Sequence, residues 1–287
     1  MAPTSKGDDE EFSIGFLTAL VTDELVACEK ILSEMKWKPQ PVSIVLKDAG
    51  ISKWAKQIDG RKIIAHAMAI GRMGQAASAI ETFAFLERTK PTFTFLTGIA
   101  GSLKSDKIFK CDVVVSNHTR WRTQNRVFGE DGCNQYRPYD NLNYDPFVPA
   151  DMSRRIQKKL VEDFPTKKRG AGDFDRWNAH LGEVYTWDYV LSSKRIVDEI
   201  NADFPMALCV EMEAGGFLGA ISRAKGLRGD RPMQGYVVRG ISDYAEGKDK
   251  VEKVRTDASR NAALVAVSLA EWMVEKNSIL AFKRAAS

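Results

Sequence analysis

The chain has 287 residues, 44% of them hydrophobic and 28% charged, and 42 basic against 38 acidic side chains leave a formal net charge of +4. That is enough apolar material for one large α/β domain or two modest ones. The weak positive balance, with no basic run denser than Lys167-Lys168-Arg169, argues against a nucleic-acid partner, and no apolar stretch is long enough to span a bilayer, which argues against a membrane.

Met1 to Phe12 are polar and acidic without an apolar core, which reads as a disordered tail and not a signal peptide. Residues 13–20 read as a buried strand and 23–35 as a helix, with Leu25, Val26, Ile31 and Leu32 on one stripe. Residues 42–46 and 62–69 read as further strands. Gly71-Arg72-Met73-Gly74-Gln75 is a glycine-punctuated turn before a helix over 76–88. A strand over 92–96 breaks at Thr97-Gly98-Ile99-Ala100-Gly101-Ser102, and 112–116 is another strand. This alternation predicts an α/β fold: one parallel or mixed central sheet with helices on both faces, a three-layer α/β/α domain.

From His118 to about Trp177 the periodicity fades into Asn, Asp, Pro, Tyr and Arg, apart from a short amphipathic helix over 152–164. An irregular insertion of this kind serves as a lid, an oligomer contact or a disordered segment. The strand-like 182–185 and a helix over 193–201 resume the earlier pattern, so the organisation reads as one domain over 13–280 with an insertion at about 118–177, flanked by tails at 1–12 and 281–287. Cys28, Cys111, Cys133 and Cys209 are widely spaced with no C-x-x-C pair, which fits reduced thiols in the cytoplasm. With His66, His118 and His180 all remote from a cysteine in sequence, no metal site is expected.

Val237 to Asp243 form an apolar run ending in Ser-Asp, which delivers a carboxyl group to the carboxyl edge of a sheet, where open α/β folds keep their ligands. Two readings are open: a chemical role for Asp243, or a helix cap or turn. Upstream, Cys209-Val210-Glu211-Met212-Glu213-Ala214 carries two carboxylates into an apolar helix. On an extended segment Glu211 and Glu213 point to the same face. The other reading is a solvated helix start, favourable near the positive end of the dipole. The apolar flanks require at least one of the two to be partly buried and therefore partnered.

These segments, taken in order, resemble the purine nucleoside phosphorylase superfamily: Ile14-Gly15-x-x-Thr18-Ala19-Leu20 followed by an acid, Gly71-x-x-Gly74, Thr97 to Ser102, Asp112-Val-Val-Val-Ser116, Val210-Glu-Met-Glu-Ala214 and Arg239-Gly-Ile-Ser-Asp243. Within it the pattern is similar to the branch of methylthioadenosine/S-adenosylhomocysteine nucleosidase. The resemblance implies a nucleoside phosphorylase-like fold and cleavage of a purine N-glycosidic bond without a cofactor. Such cleavage develops positive charge on the ribose and negative charge on the departing base, so it needs an acid near the base and acceptors around the sugar. By resemblance, Asp243 protonates N7 of the purine with Ser242 orienting it, Glu213 binds the ribose hydroxyls with Met212 against the sugar, and Ile99, Ala100 and Gly101 line the sugar side.

The resemblance also separates hydrolysis from phosphorolysis. The family's phosphorylases carry glycine and arginine just after the first strand, whereas Thr18 to Glu24 has neither and offers an acid instead, suited to activating water. A gap-free match puts Asp23 at the catalytic position; a match on the apolar residue that follows puts Glu24 there with one residue inserted, and Glu24 is preferred. Arg239 matches an arginine facing the water, or is a structural ion-pair partner. Trp187, Tyr189 and Val190 lie where the family stacks an aromatic on the base, although Trp187 also reads as a core aromatic.

Arg120, Arg122, Arg126 and Arg137, interleaved with Trp121, Tyr136 and Tyr139, could frame phosphate groups. That points to AMP or ATP as substrate, as in nucleotide-cleaving stress or antiviral effectors of the superfamily. Glu130, Asp131, Asp140 and Asp145 lie close enough in sequence to neutralise them. The leading expectation is a purine nucleosidase acting on a small-molecule nucleoside or nucleotide, using water as nucleophile and assembled as a homo-oligomer. The alternatives are a nucleotide nucleosidase, a phosphate-dependent phosphorylase and a non-catalytic purine sensor.

Overall fold

The computed structural model describes residues 12–121, 125–128, 135–138, 142–144, 148–165, 176–228, 233–247 and 252–275. Its strands are β1 (Phe12–Thr18), β2 (Lys38–Gln40), β3 (Ser52–Ile58), β4 (Arg61–Ala69), β5 (Phe93–Ser102), β6 (Val113–Trp121), β7 (Asn125–Phe128), β8 (Gln135–Pro138), β9 (Leu142–Tyr144), β10 (Ala179–Thr186), β11 (Ala207–Glu211) and β12 (Gln234–Tyr244). The helices are α1 (Val26–Glu34), α2 (Ile44–Asp48), α3 (Gln75–Thr89), α4 (Ala150–Asp163), α5 (Lys194–Asp203), α6 (Ala214–Arg228) and α7 (Glu252–Glu275), with a π turn at Val21–Leu25.

The central sheet is mixed, ordered β11-β10-β6-β12-β5-β1-β4-β3-β2. β4, β1, β5 and β12 run parallel to one another, whereas β3 meets β4 and β6 meets β12 antiparallel. β5 pairs antiparallel with β11 at Gly101 and Ser102, so β5, β12, β6, β10 and β11 close a ring. That closure gathers the ends of β5, β11 and β12 at one place. Helices cover both faces, which is why β1 and β12 are almost continuously buried and do not alternate with polar residues. Ile14, Phe16, Phe93, Phe95, Tyr236 and Val238 face α1, α4 and α7, while Leu17, Leu96 and Val237 face α3 and α6. Strand side chains alternate with period two, so these sets lie on opposite faces.

Three expectations are corrected. Residues 42–46 do not form a strand: Ser43 caps α2, its Oγ accepting from the Leu46 amide at 3.4 Å, and Ile44 and Val45 are exposed. The edge strand beside β3 is instead Lys38–Gln40. β5 does not break at Thr97, because β12 stays paired beside it to Ser102 and β11 adds a further partner. Between 118 and 177 the chain is more regular than read: β6 runs on to Trp121, β9 pairs with it, and β7 pairs with β8. Phe12 belongs to β1, whereas the rest of the amino-terminal tail and residues 281–287 lie outside the described residues.

The final helix packs directly on β12 at Gly240, where a Cβ would collide with the Ala258 carbonyl. Gly240→Ala is expected to lose about 1–3 kcal/mol of unfolding free energy through overpacking. Gly226→Ala, in α6 with nothing within 4 Å of its would-be Cβ, is expected to gain about 0.5–1 kcal/mol; urea unfolding of both variants checks the contrast.

Candidate active site

A cavity of about 220 Å³ opens where the ends of β5, β11 and β12 meet, walled by Glu24, Ile99, Ala100, Gly101, Glu211, Met212, Glu213, Ser242 and Asp243, with Tyr189 and Val190 exposed at its mouth. Glu24 sits on the π turn, whose Leu25 amide reaches back five residues to the Leu20 carbonyl at 3.1 Å. One residue more than an α-turn is taken up there, as the alignment with an inserted residue requires, and π turns are frequent at functional sites. The turn aims Glu24 inward: its Oε2 accepts the amides of Ala19 at 2.8 Å and Leu20 at 2.9 Å, and its Oε1 accepts Ile99 N–H at 2.9 Å. Burial raises the Glu24 pKa, against the pull of Arg239 and these three amides. Asp23 turns the other way, pairs with Arg255 at 3.3 Å, and does not line the cavity.

Arg239 lies behind the wall, fully buried on β12. Its Nη2 donates to Glu211 and, at 3.2 Å, to Glu213. Burial opposes its charge, but Glu211, Glu213 and Glu24 outweigh burial and hold its pKa above the ordinary value. Glu211 also accepts the amides of Glu213 and Ala214, capping the start of α6, where the helix dipole favours an anion. Glu213 takes the Gly74 amide at 3.2 Å. Burial, joined by the charges of Glu211 and Glu24, raises its pKa in spite of Arg239. Both glutamates therefore share a face, as the extended spacing implies, and both are buried.

Along β12, register with β5 shifts between Ile241 and Asp243, so Ser242 is an extra residue at a bulge. Bulges re-aim side chains beside active sites. Here Ser242 Oγ donates to Asp243 Oδ2 at 2.7 Å. Two glycines of β5 make the room. A Cβ on Gly98 would strike Glu24 and Arg239, and one on Gly101 would crowd Asp243. At about 3.3 Å rise per residue, those positions put the two carboxylates roughly 10 Å apart along β5.

Trp187 is half-buried in the cluster of Leu103, Tyr185 and Val197, the core-aromatic alternative, with its ring 5.0 Å from that of Tyr189. Arg120 forks onto Glu183 at 3.2 Å and stays out of the cavity wall. Trp121 covers Gly215 of α6. Arg122, Glu130, Asp131, Cys133, Tyr139, Asp140 and Asp145 lie outside the described residues, as do the side chains of Arg126, Tyr136 and Arg137. Cys28, Cys111 and Cys209 are buried thiols outside any disulfide among the described residues.

The sequence reading missed Met73, Leu191 and Arg255 in the wall. Met73 lay in a turn read only as punctuation, and Arg255 stands on α7, which starts at Glu252.

Residues 48–271 match the model of the phosphorylase superfamily, and the chain belongs to that superfamily. The 5'-methylthioadenosine/S-adenosylhomocysteine nucleosidase of Haemophilus influenzae (strain PittEE) is 29% identical over 215 residues, 73% of this chain and 81% of that protein. The fold matches the solved nucleosidase of the same name from Colwellia psychrerythraea 34H, in complex with adenine, with TM-score 0.62 and 20% identity over 91% of this chain and 96% of that one. It also matches futalosine hydrolase of Helicobacter pylori, with TM-score 0.62 and 17% identity over 91% and 97%.

Replacing Arg239 by Met leaves Glu211 and Glu213 buried without their cation, an expected loss of about 3–5 kcal/mol. Glu213, whose pKa burial raises even beside Arg239, then loses that opposing pull and titrates further above its unfolded value. The stability this confers is full below the ordinary carboxylate range and is lost as pH rises through the raised pKa. Chemical unfolding should therefore find the deficit smallest near pH 4–5 and largest near pH 8 (ordinary carboxylate pKa about 4).

Proposed function

We propose that the protein hydrolyses the N-glycosidic bond of a purine nucleoside and releases the free base. The observation that carries the reading is a pair of carboxylates at opposite ends of one short cavity: Asp243, backed by Ser242, and Glu24, held by three amides. The base lies at the Asp243 end beside Tyr189 and Val190, and the ribose hydroxyls meet Glu213 with Met212 against the ring. Glu24 takes a proton from water as the water oxygen bonds to the anomeric carbon. The carbon–nitrogen bond breaks, its electron pair leaves with the base, and Asp243 in its acid form delivers a proton to N7. The roughly 10 Å between the two carboxylates along β5 leaves room for a water on the face opposite the leaving group, which inverting glycosidases accommodate in roughly 6.5–9.5 Å. Arg239 acts from behind by fixing Glu211 and Glu213.

Hydrolysis is favoured over phosphorolysis by what occupies the amides after β1. Ala19, Leu20 and Ile99 already donate to Glu24, so a phosphate would have to displace a buried carboxylate to use them. The three buried thiols support a reducing compartment, and no helix among the described residues is long and apolar enough to cross a membrane. Exposed Val21, Met73, Tyr189 and Val190 support self-association near the mouth.

Chromatography of adenosine, methylthioadenosine and inosine incubated with the protein should find free base without added phosphate; a requirement for phosphate would overturn hydrolysis. Asp243→Asn is expected to lower kcat by about 10²–10⁴ with a smaller change in KM. Glu24→Gln should lower kcat at least as strongly as a lost general base does (about 10²), and Asp23→Asn by less than about tenfold (under 1.4 kcal/mol).

A further inference from the structure

Of the charged side chains lining the cavity, Glu24, Glu211, Glu213 and Asp243 are acidic, and Arg255 is the one cation among the described residues. An uncharged nucleoside gives such a cation nothing to do. Arg255 stands on the first turn of α7 and, with Asp23, is about one-third exposed (30% for each side chain). Its contact with Asp23, at 3.3 Å from Nη2, is longer than the 2.7–2.9 Å or so of a strong charge-assisted bond. A guanidinium carries five N–H donors, and among the described residues Asp23 is its only ion-pair partner. Donors therefore remain for a ligand, and the positive end of a long helix lies beside them.

The layers of the fold say which part of the substrate Arg255 meets. Asp23 precedes Glu24 on the π turn, so its partner Arg255 stands on the Glu24 side of the cavity. Glu213 sits at the start of α6 and Arg255 on α7, and those helices cover opposite faces of the sheet. With the ribose hydroxyls on Glu213, the wall across the cavity is the α7 side, where Arg255 stands.

We propose that Arg255 recognises an anionic group on the exocyclic carbon of the ribose, so that the substrate is a purine nucleoside carrying a phosphate or a carboxylate there. The inference rests on the N-glycosidase reading above. Asp23 holds the guanidinium over the mouth and competes with the incoming anion. This contact lies outside the segment 118–177, whose Arg120 is engaged by Glu183.

The test uses the full chain as wild type, Arg255→Met and Asp23→Asn, with adenosine, adenosine 5'-monophosphate, adenosine 5'-triphosphate and adenosine 5'-carboxylic acid. It reads the ratio of kcat/KM for each anionic compound to that for adenosine. The wild-type ratio should exceed ten for at least one anion, and the phosphate and carboxylate arms identify which. Arg255→Met should lower that ratio at least tenfold, and Asp23→Asn should raise it at least threefold. A wild-type ratio below one, or a ratio that moves less than threefold in Arg255→Met, overturns the proposal. Calorimetric affinities of the Asp243→Asn form for the same compounds separate the two readings. Base release from adenosine alone removes the anion site and keeps the hydrolase. Arg255-dependent binding of the anions without release from any compound keeps the anion site and removes the hydrolase.

Discussion

The site depends on one buried cation. Arg239 has no exposed surface, yet it sits among Glu24, Glu211 and Glu213 and ties the end of β11, the start of α6 and the middle of β12 together. A guanidinium suits this place because its flat fork meets two carboxylates from one nitrogen and cannot lose its proton. Burial, joined by the charges of Glu211 and Glu24, lifts Glu213 against the pull of Arg239. Breaking the cluster exposes charge to a dry interior, so its members stand or fall together.

Around that cation, small backbone devices aim the reacting groups. The π turn brings Glu24 in and turns Asp23 out, and the bulge at Ser242 swings Asp243 toward β5. Gly98 and Gly101 leave the space that both carboxylates fill. Each device departs from ideal helix or strand geometry by one residue, and each sits at the cavity. The closed ring of strands holds these departures in register, because a slip by one residue would turn Asp243 to the opposite face.

Much of this was legible in the chain. The apolar runs at β1, β4 and β12 announce strands covered on both sides, and Glu211, Glu213, Ser242 and Asp243 reveal themselves as polar groups in apolar surroundings. Local signals failed where a side chain's partner lies far along the sequence. Residues 42–46 have the β-branched composition of a strand, but Ser43 supplies a cap and the sheet edge is taken by Lys38–Gln40. Thr97 to Ser102 looks like a loop because it contains two glycines, which are there for the groups that press on them and not for a turn.

By itself the sequence determined the α/β class, the alternation that builds the layers, and the acids set in apolar surroundings, since these follow from periodicity and residue chemistry within short windows, whereas the glycosidic bond entered only through the family resemblance. Only the tertiary structure decided that Glu24 and not Asp23 lines the cavity, that Trp187 belongs to the core, that Arg239 binds both glutamates, and that Arg255 reaches the mouth. The reason is physical: the direction of a side chain depends on a π turn, a bulge and a helix packed from more than two hundred residues away, and none of these leaves a local mark on composition.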